Sequence, residues 1–341
     1  MKKFVSKVNH NENITSRSED YINGFIQAFE KLDENYIDKK VLTLKKISQE
    51  SQYLQGLAEA ILYKYLVAQG FSPQTDVKVN GTDKDVDLVI ERNGIKINIE
   101  VKCPVINDKS PDTLYMSTGH RFSNVKEEHN SVFDPVLQEF IKNFNNNPNK
   151  TYAKIECEKL DDNKLKDYLK SAQSKFALSQ NNECNVLFLA LITSDFIGFF
   201  DYITNSQTGL FSNNPYVAPE IFDKIDCIIL SNIISGHYKH KLDMDIWDMK
   251  NYLTFVLPNL TKHDNKMYVV PTESEQIVVE LFGNRTYEFM QFEEEFYKLN
   301  PQFPRAIQLP LPAYIARDFK LLSEEYIGKN VIPLKSNTGN K

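Results

Sequence analysis

Four residues of this chain have the types and the spacing for metal-assisted chemistry. Asp87 stands early in one apolar run, Glu100 and Lys102 stand two apart in the next, and Glu59 lies upstream. The run Ile95-Lys-Ile-Asn-Ile-Glu-Val-Lys102 alternates, so Ile95, Ile97, Ile99 and Val101 share one face while Lys96, Asn98, Glu100 and Lys102 share the other. Burying two carboxylates and an ammonium in a sheet costs on the order of several kcal/mol per ion unless pairing or a metal compensates. Paired carboxylates beside a lysine are what a hard divalent cation and an activated water require. Asp85 faces the same way as Asp87 and competes for the ligand role; Asp87 is favoured because it lies deeper in the strand.

The elements that must position these groups follow from periodicity. A helix from about Ser51 to Gln69 carries Glu59, with Leu54, Leu57, Ala58, Ile61, Leu62, Tyr65 and Leu66 as its apolar stripe and Gly70 closing it. After Pro73 the period becomes two: Val77 and Val79 lead to the turn Asn80-Gly81, Val86 to Arg92 forms a strand, and Asn93-Gly94 is a two-residue hairpin signal before Ile95 to Lys102. Ahead of this, Tyr21, Phe25, Ala28, Phe29 and Leu32 recur at helical spacing after Ser18-Glu19-Asp20. Beyond it, residues 104–153 are polar, with one helix at 134–144, and their length predicts a functional insertion over the sheet.

Helix 160–178, strand 186–192, helix 196–203 and strand 225–230 follow. In the last hundred residues, 246–256 and 287–299 read as helices, 269–270 and 277–282 as strands, and 314–326 as a terminal helix. The order predicts an α/β (α+β) fold, a mixed β-sheet flanked by helices. Its expected parts are a helical N-terminal lead-in (1–50), a core (51–240) with the insertion at 104–153, and an α+β C-terminal extension (241–341).

The stretch from Ser51 to Ile192 resembles the PD-(D/E)xK nuclease superfamily, the restriction-endonuclease-like fold. The superfamily's Asp is matched by Asp87, its E-x-K by Glu100-Val101-Lys102, and the glutamate of its first core helix by Glu59. Val86 stands where the motif name places proline. The resemblance implies that Asp87, Glu100 and the carbonyl of Val101 hold Mg²⁺ (or Mn²⁺), that Glu59 binds a second metal or a metal-bound water, and that Lys102 orients the attacking water. It implies in-line phosphodiester hydrolysis leaving a 5′-phosphate. The expected protein is a prokaryotic DNA endonuclease of restriction or phage-defence type, with RNA as another substrate and a homodimer as a further expectation. The alternative is a silent relative that binds nucleic acid or a partner protein without cutting. Gln173 and Lys175 resemble polar residues that relatives point at the site from the crossover helix, and His120-Arg121 are candidate phosphate contacts in the insertion.

Composition bounds these readings. With 40 Lys+Arg against 46 Asp+Glu the net charge is −6, and only six of the 40 are arginine. Lysine suits phosphate as a point charge, whereas arginine reads bidentately. Abundant Lys, Asn and Ile reflect the codon bias of an AT-rich, bacterial genome. Cys103, Cys157, Cys184 and Cys227 form no C-x-x-C pair, which argues against a zinc ribbon or disulfide framework and predicts reduced, mostly buried thiols. His237 and His240 lack the partners of a metal site, and Lys39-Lys40 and Lys45-Lys46 read as a solvated face or a nucleic-acid patch. No G-x-x-x-x-G-K-[ST] is present, so no intrinsic NTPase is expected. Met1 to Lys7 carries charge without a following apolar stretch, and no apolar run approaches the roughly 20 residues of a membrane span. A soluble cytoplasmic protein with a basic rim around Lys102 is expected.

Overall fold

The computed structural model describes residues 18–46, 50–79, 83–104, 113–118, 154–159, 161–205, 209–212, 215–237, 245–263 and 272–299, and isolated positions at 139, 142, 143, 146, 301, 311 and 314. Helix α1 (Glu19–Phe29) begins at Ser18, whose hydroxyl accepts from the Tyr21 amide. After a helical turn at Glu34–Tyr36, a π-helical turn at Ile37–Val41 and a 3₁₀ turn at Leu42–Lys46, α2 spans Glu50–Ala68. Strands β1 (Gln74–Lys78), β2 (Asp85–Arg92) and β3 (Ile95–Lys102) form an antiparallel meander. Asn93 and Gly94 close the β2–β3 hairpin at φ +56° and +78°, the pair of positive angles that a two-residue turn demands.

Strands β4 (Thr113–Thr118) and β5 (Lys154–Lys159) pair in parallel as a separate two-stranded sheet. Helix α3 (Asp161–Gln173) then leads to β6 (Glu183–Ala190), which pairs parallel to β3. Helix α4 (Thr193–Thr204), β7 (Cys227–Ser231), β8 (Thr254–Pro258), α5 (Glu273–Phe282) and α6 (Asn284–Leu299) complete the described elements. The main sheet is six-stranded and mixed, in the order β1-β2-β3-β6-β7-β8, with β7 parallel to β6 and β8 antiparallel to β7. The α/β architecture expected from the sequence is therefore present. Among the described residues no helix is long and apolar enough to cross a membrane.

The pleat divides the core between the two faces of the sheet. Leu88, Ile90, Ile97, Ile99, Val101, Val186, Phe188, Ile229 and Val256 join one continuous core with α1, α2 and α5. On the opposite face Phe196 and Phe200 of α4 meet Phe255 edge-on, and Tyr168 of α3 stacks with Phe199. The polar face of β3 lies on this second side, and Asn98 and Glu100 are both fully buried there. Asn98 donates to Asn185 Oδ1 at 2.9 Å, and Asn185 Nδ2 donates to the carbonyls of Ala177 and Lys224.

Two expectations are corrected. Residues 246–256, read as a helix, form a 3₁₀ turn at Met249–Asn251 and then β8. Thr254-Phe-Val-Leu257 pairs with β7, and that pairing outweighs the helical spacing of Ile246, Met249 and Leu253. Residues 277–282, read as a strand from Ile277-Val-Val279, form the second half of α5. Its start is a capping box: the Glu275 amide donates to Thr272 Oγ1, and the Thr272 amide donates to Glu275 Oε2 at 2.8 Å. The expected helices at 134–144 and 314–326 and the strand at 269–270 fall largely or wholly outside the described residues.

The chain divides into units at residues 1–286 and 287–341. The six-stranded sheet thus continues past position 240, with β8 as an edge strand and α5 as part of its cover. In the second unit Phe289 and Phe292 pack on Tyr314, whose hydroxyl donates to Glu288.

Candidate active site

Adjacent strands bring the two carboxylates together. Val101 faces the large core, so the β3 residue before it, Glu100, turns to the opposite face, where Asp87 of β2 also lies. Asp87 Oδ2 accepts the Val101 amide at 2.7 Å, which fixes its side chain against β3. Asp85, its competitor in sequence, is exposed.

Glu100 is clamped by two lysines. Lys102 Nζ lies 2.6 Å from Oε1. Lys175, just after α3, places Nζ 2.7 Å from Oε1 and 2.8 Å from Oε2, and 3.8 Å from Asp87 Oδ1. One ammonium thus lies within ion-pair distance of both carboxylates. The Oε1 atom is wholly buried, and the ammonium groups of Lys102 and Lys175 are its charged partners.

Glu59 completes the group from α2. Its Oε2 is 4.0 Å from Lys40 Nζ, and Gln55 Nε2 donates weakly to Oε1 at 3.5 Å. Burial, reinforced by the charge of Asp87, pushes the Glu59 carboxyl up to about 7. Burial and Asp87 also raise Glu100, against the pull of Lys102 and Lys175. For Lys175 burial acts in the other direction, but Glu100, Asp87 and Glu59 outweigh it and hold the ammonium protonated above its usual range.

The carboxylate oxygens of Asp87, Glu100 and Glu59 are the groups that could hold a hard cation, whose charge would relieve the mutual repulsion that helps raise Glu59 and Glu100. Among the described residues no three His, Cys, Asp or Glu side chains converge tightly enough to enclose an ion.

The other candidates separate. Gln173 is turned to the 219–224 turn, where it donates to the Glu220 carbonyl and Asp223 and accepts from the Lys224 amide; it ties α3 to that turn. His120 and Arg121 lie outside the described residues. His237 is a buried core histidine, in contact with the hydroxyls of Tyr21 and Tyr252 and the carbonyl of Ile246. Cys103, Cys184 and Cys227 are free and buried.

Of two further residues at the site, Asp76 had no functional signal in the sequence and Lys40 only an ambiguous one. Lys40 belonged to a lysine pair that read as a solvated face or a nucleic-acid patch, and Asp76 to the polar positions of an edge strand, and Lys40 Nζ lies 2.6 Å from Asp76 Oδ1 and beside Glu59. Burial works against this ammonium, and Asp76, Glu59 and Asp87 outweigh it. Lys84 adds a further cation nearby in the chain fold, bonded at 2.9 Å to Ser174, the neighbour of Lys175.

Comparison of the chain with protein-family models, curated proteins and solved structures returns no match.

Proposed function

We propose that this protein is a metal-dependent nuclease of the PD-(D/E)xK type, a Mg²⁺-dependent endonuclease acting on DNA in restriction or phage defence. The observation that carries the reading is Glu100: fully buried in the middle of a sheet, flanked by Asp87, and held between Lys102 and Lys175. Such a cluster costs stability relative to an apolar packing, and catalysis gives it a use.

Glu59, Asp87, Glu100 and the Val101 carbonyl would hold Mg²⁺ or Mn²⁺, which supplies Lewis-acid polarisation of the phosphate and a water of lowered pKa. The chain's own groups do the rest. Asp87 is held in place by the Val101 amide. Lys102 and Lys175 offer ammonium protons to the attacking water and to the charge that builds on the phosphoryl oxygens. Lys40, Lys84, Lys102 and Lys175 are the basic rim that an otherwise acidic protein needs to receive a phosphodiester.

The complete pairing of Glu100 with two lysines also favours a second reading, a non-cutting relative in which the cluster only locks the segment after α3 onto β3. Incubating the protein with plasmid DNA, linear DNA and RNA in Mg²⁺, Mn²⁺ and EDTA, beside Asp87→Ala and Lys102→Ala, separates the two. Metal-dependent cutting abolished by both substitutions is expected. Cutting that survives either one would overturn the site, and salt-sensitive binding without cutting would favour the second reading.

A further inference from the structure

Lys40 is the site ammonium supplied from ahead of α2, and the chain goes to some length to place it. Tyr36 stacks flat on Tyr63, ring centroids 3.5 Å apart, and Tyr63 lies one helical turn beyond Glu59 on α2. This pins the π-helical turn Ile37–Val41 along α2, with Ile37 and Val41 buried beneath it. Thr43 Oγ1 donates to the carbonyls of Lys39 and Lys40. Short π segments are uncommon and recur at functional sites. The partner is equally particular: Asp76 sits at φ +53°, a left-handed conformation that costs a non-glycine residue energy.

Lys102 and Lys175 are both engaged by the buried Glu100, whereas Lys40 is held by Asp76, whose side chain is 55% exposed. An exposed ion pair has little net worth, so its ammonium exchanges one anion for another at small cost. With its own side chain 26% exposed, Lys40 faces both solvent and Glu59.

Resting on the nuclease reading, we propose that Lys40 is a phosphate-contacting residue, which releases Asp76 to bind a backbone phosphate of the nucleic acid at the Glu59 side of the site. Asp76 is then a resting partner that keeps the ammonium aimed while no substrate is present.

The test is the salt dependence of binding of a short labelled DNA duplex, measured in EDTA so that no strand is cut. Losing one phosphate contact should lower the slope of log K against log salt by roughly 0.9. Lys40→Ala is expected to show that loss and Lys40→Arg to retain the native slope. Asp76→Asn breaks the same ion pair with a residue that tolerates the left-handed backbone, and it should keep the slope. Lys40→Gln replaces Lys40→Ala if the smaller residue impairs folding, judged by thermal unfolding. An unchanged slope in Lys40→Ala, or an equal loss in Asp76→Asn, overturns the proposal while leaving the nuclease reading intact. Absence of any salt-dependent DNA binding by the native protein overturns both.

Discussion

Lys175 and Glu100 stand 75 positions apart in the chain, yet the lysine ammonium bridges both oxygens of the carboxylate, at 2.7 and 2.8 Å. The contact depends on the parallel pairing of β3 with β6 and on residues 175–177 lying against the buried polar residues of the two strands. It makes the cluster a shared property of two strands and a crossover, with Lys102 as the second cation.

Removing one lysine should leave Glu100 partly compensated, and removing both should not. Lys102→Ala and Lys175→Ala are each expected to destabilise by about 1–3 kcal/mol, and the double substitution to reach at least the roughly 3–5 kcal/mol of a broken buried pair. Denaturant unfolding of the four forms gives the coupling energy directly. Strict additivity would mean that the two cations act independently on Glu100.

Asp87→Asn keeps an oxygen that can accept the Val101 amide, whereas Asp87→Ala leaves that donor unsatisfied. The alanine variant should lose about 1–3 kcal/mol of stability and the asparagine variant less. Both should lose DNA cutting. An asparagine variant that folds normally and cuts at the native rate would remove Asp87 from the chemistry.

Burial and Asp87 place the Glu59 carboxyl at about 7, above its usual 4.5. The folded state therefore keeps this proton longer than the unfolded chain does. The stability associated with it is complete below 4.5 and is lost as pH rises through about 7. Metal-free protein should weaken across this window, by on the order of 3 kcal/mol at most, and Glu59→Gln should flatten the slope. Affinity for Mg²⁺ should rise over the same window because the ligand must shed its proton, which calorimetry in buffers of different ionisation enthalpy can count. Stability that increased from pH 5 to pH 7.5 through Glu59 would contradict the sign.

Gln173→Ala should spare DNA cutting and cost about 1–2 kcal/mol, because its partners are the Glu220 carbonyl, Asp223 and the Lys224 amide. A large loss of cutting with unchanged stability would mean that it reaches the substrate.

The meander and its hairpin were legible because their causes are local: strict alternation across Ile95 to Lys102 and an Asn-Gly pair taking positive φ. The polar face of β3 was legible as a pattern, but the complete burial of Asn98 and Glu100 was not, since that depends on β6 and on residues 175–177 lying over them. Ile277-Val-Val279 misled because β-branching was weighed above the Thr272–Glu275 capping box that starts the helix. Residues 246–256 misled because pairing with β7 is a long-range fact. Lys40 and Asp76 meet only when a turn before α2 is laid against β1, and no spacing in the sequence encodes that encounter.

The parallel pairing of β3 with β6 also orders events during folding. The β2–β3 hairpin closes through a two-residue turn and can form early, bringing Asp87 and Glu100 side by side. Lys175 can join them only after the long connection to β6 has closed, a step that pays its loop entropy before any contact rewards it. The nascent hairpin must therefore carry two adjacent negative charges without its crossover cation. Early steps should quicken when Glu100 is made neutral as Glu100→Gln, or when salt is added, while the later closure should slow with loss of Lys175; stopped-flow refolding of Glu100→Gln and Lys175→Ala distinguishes the two phases.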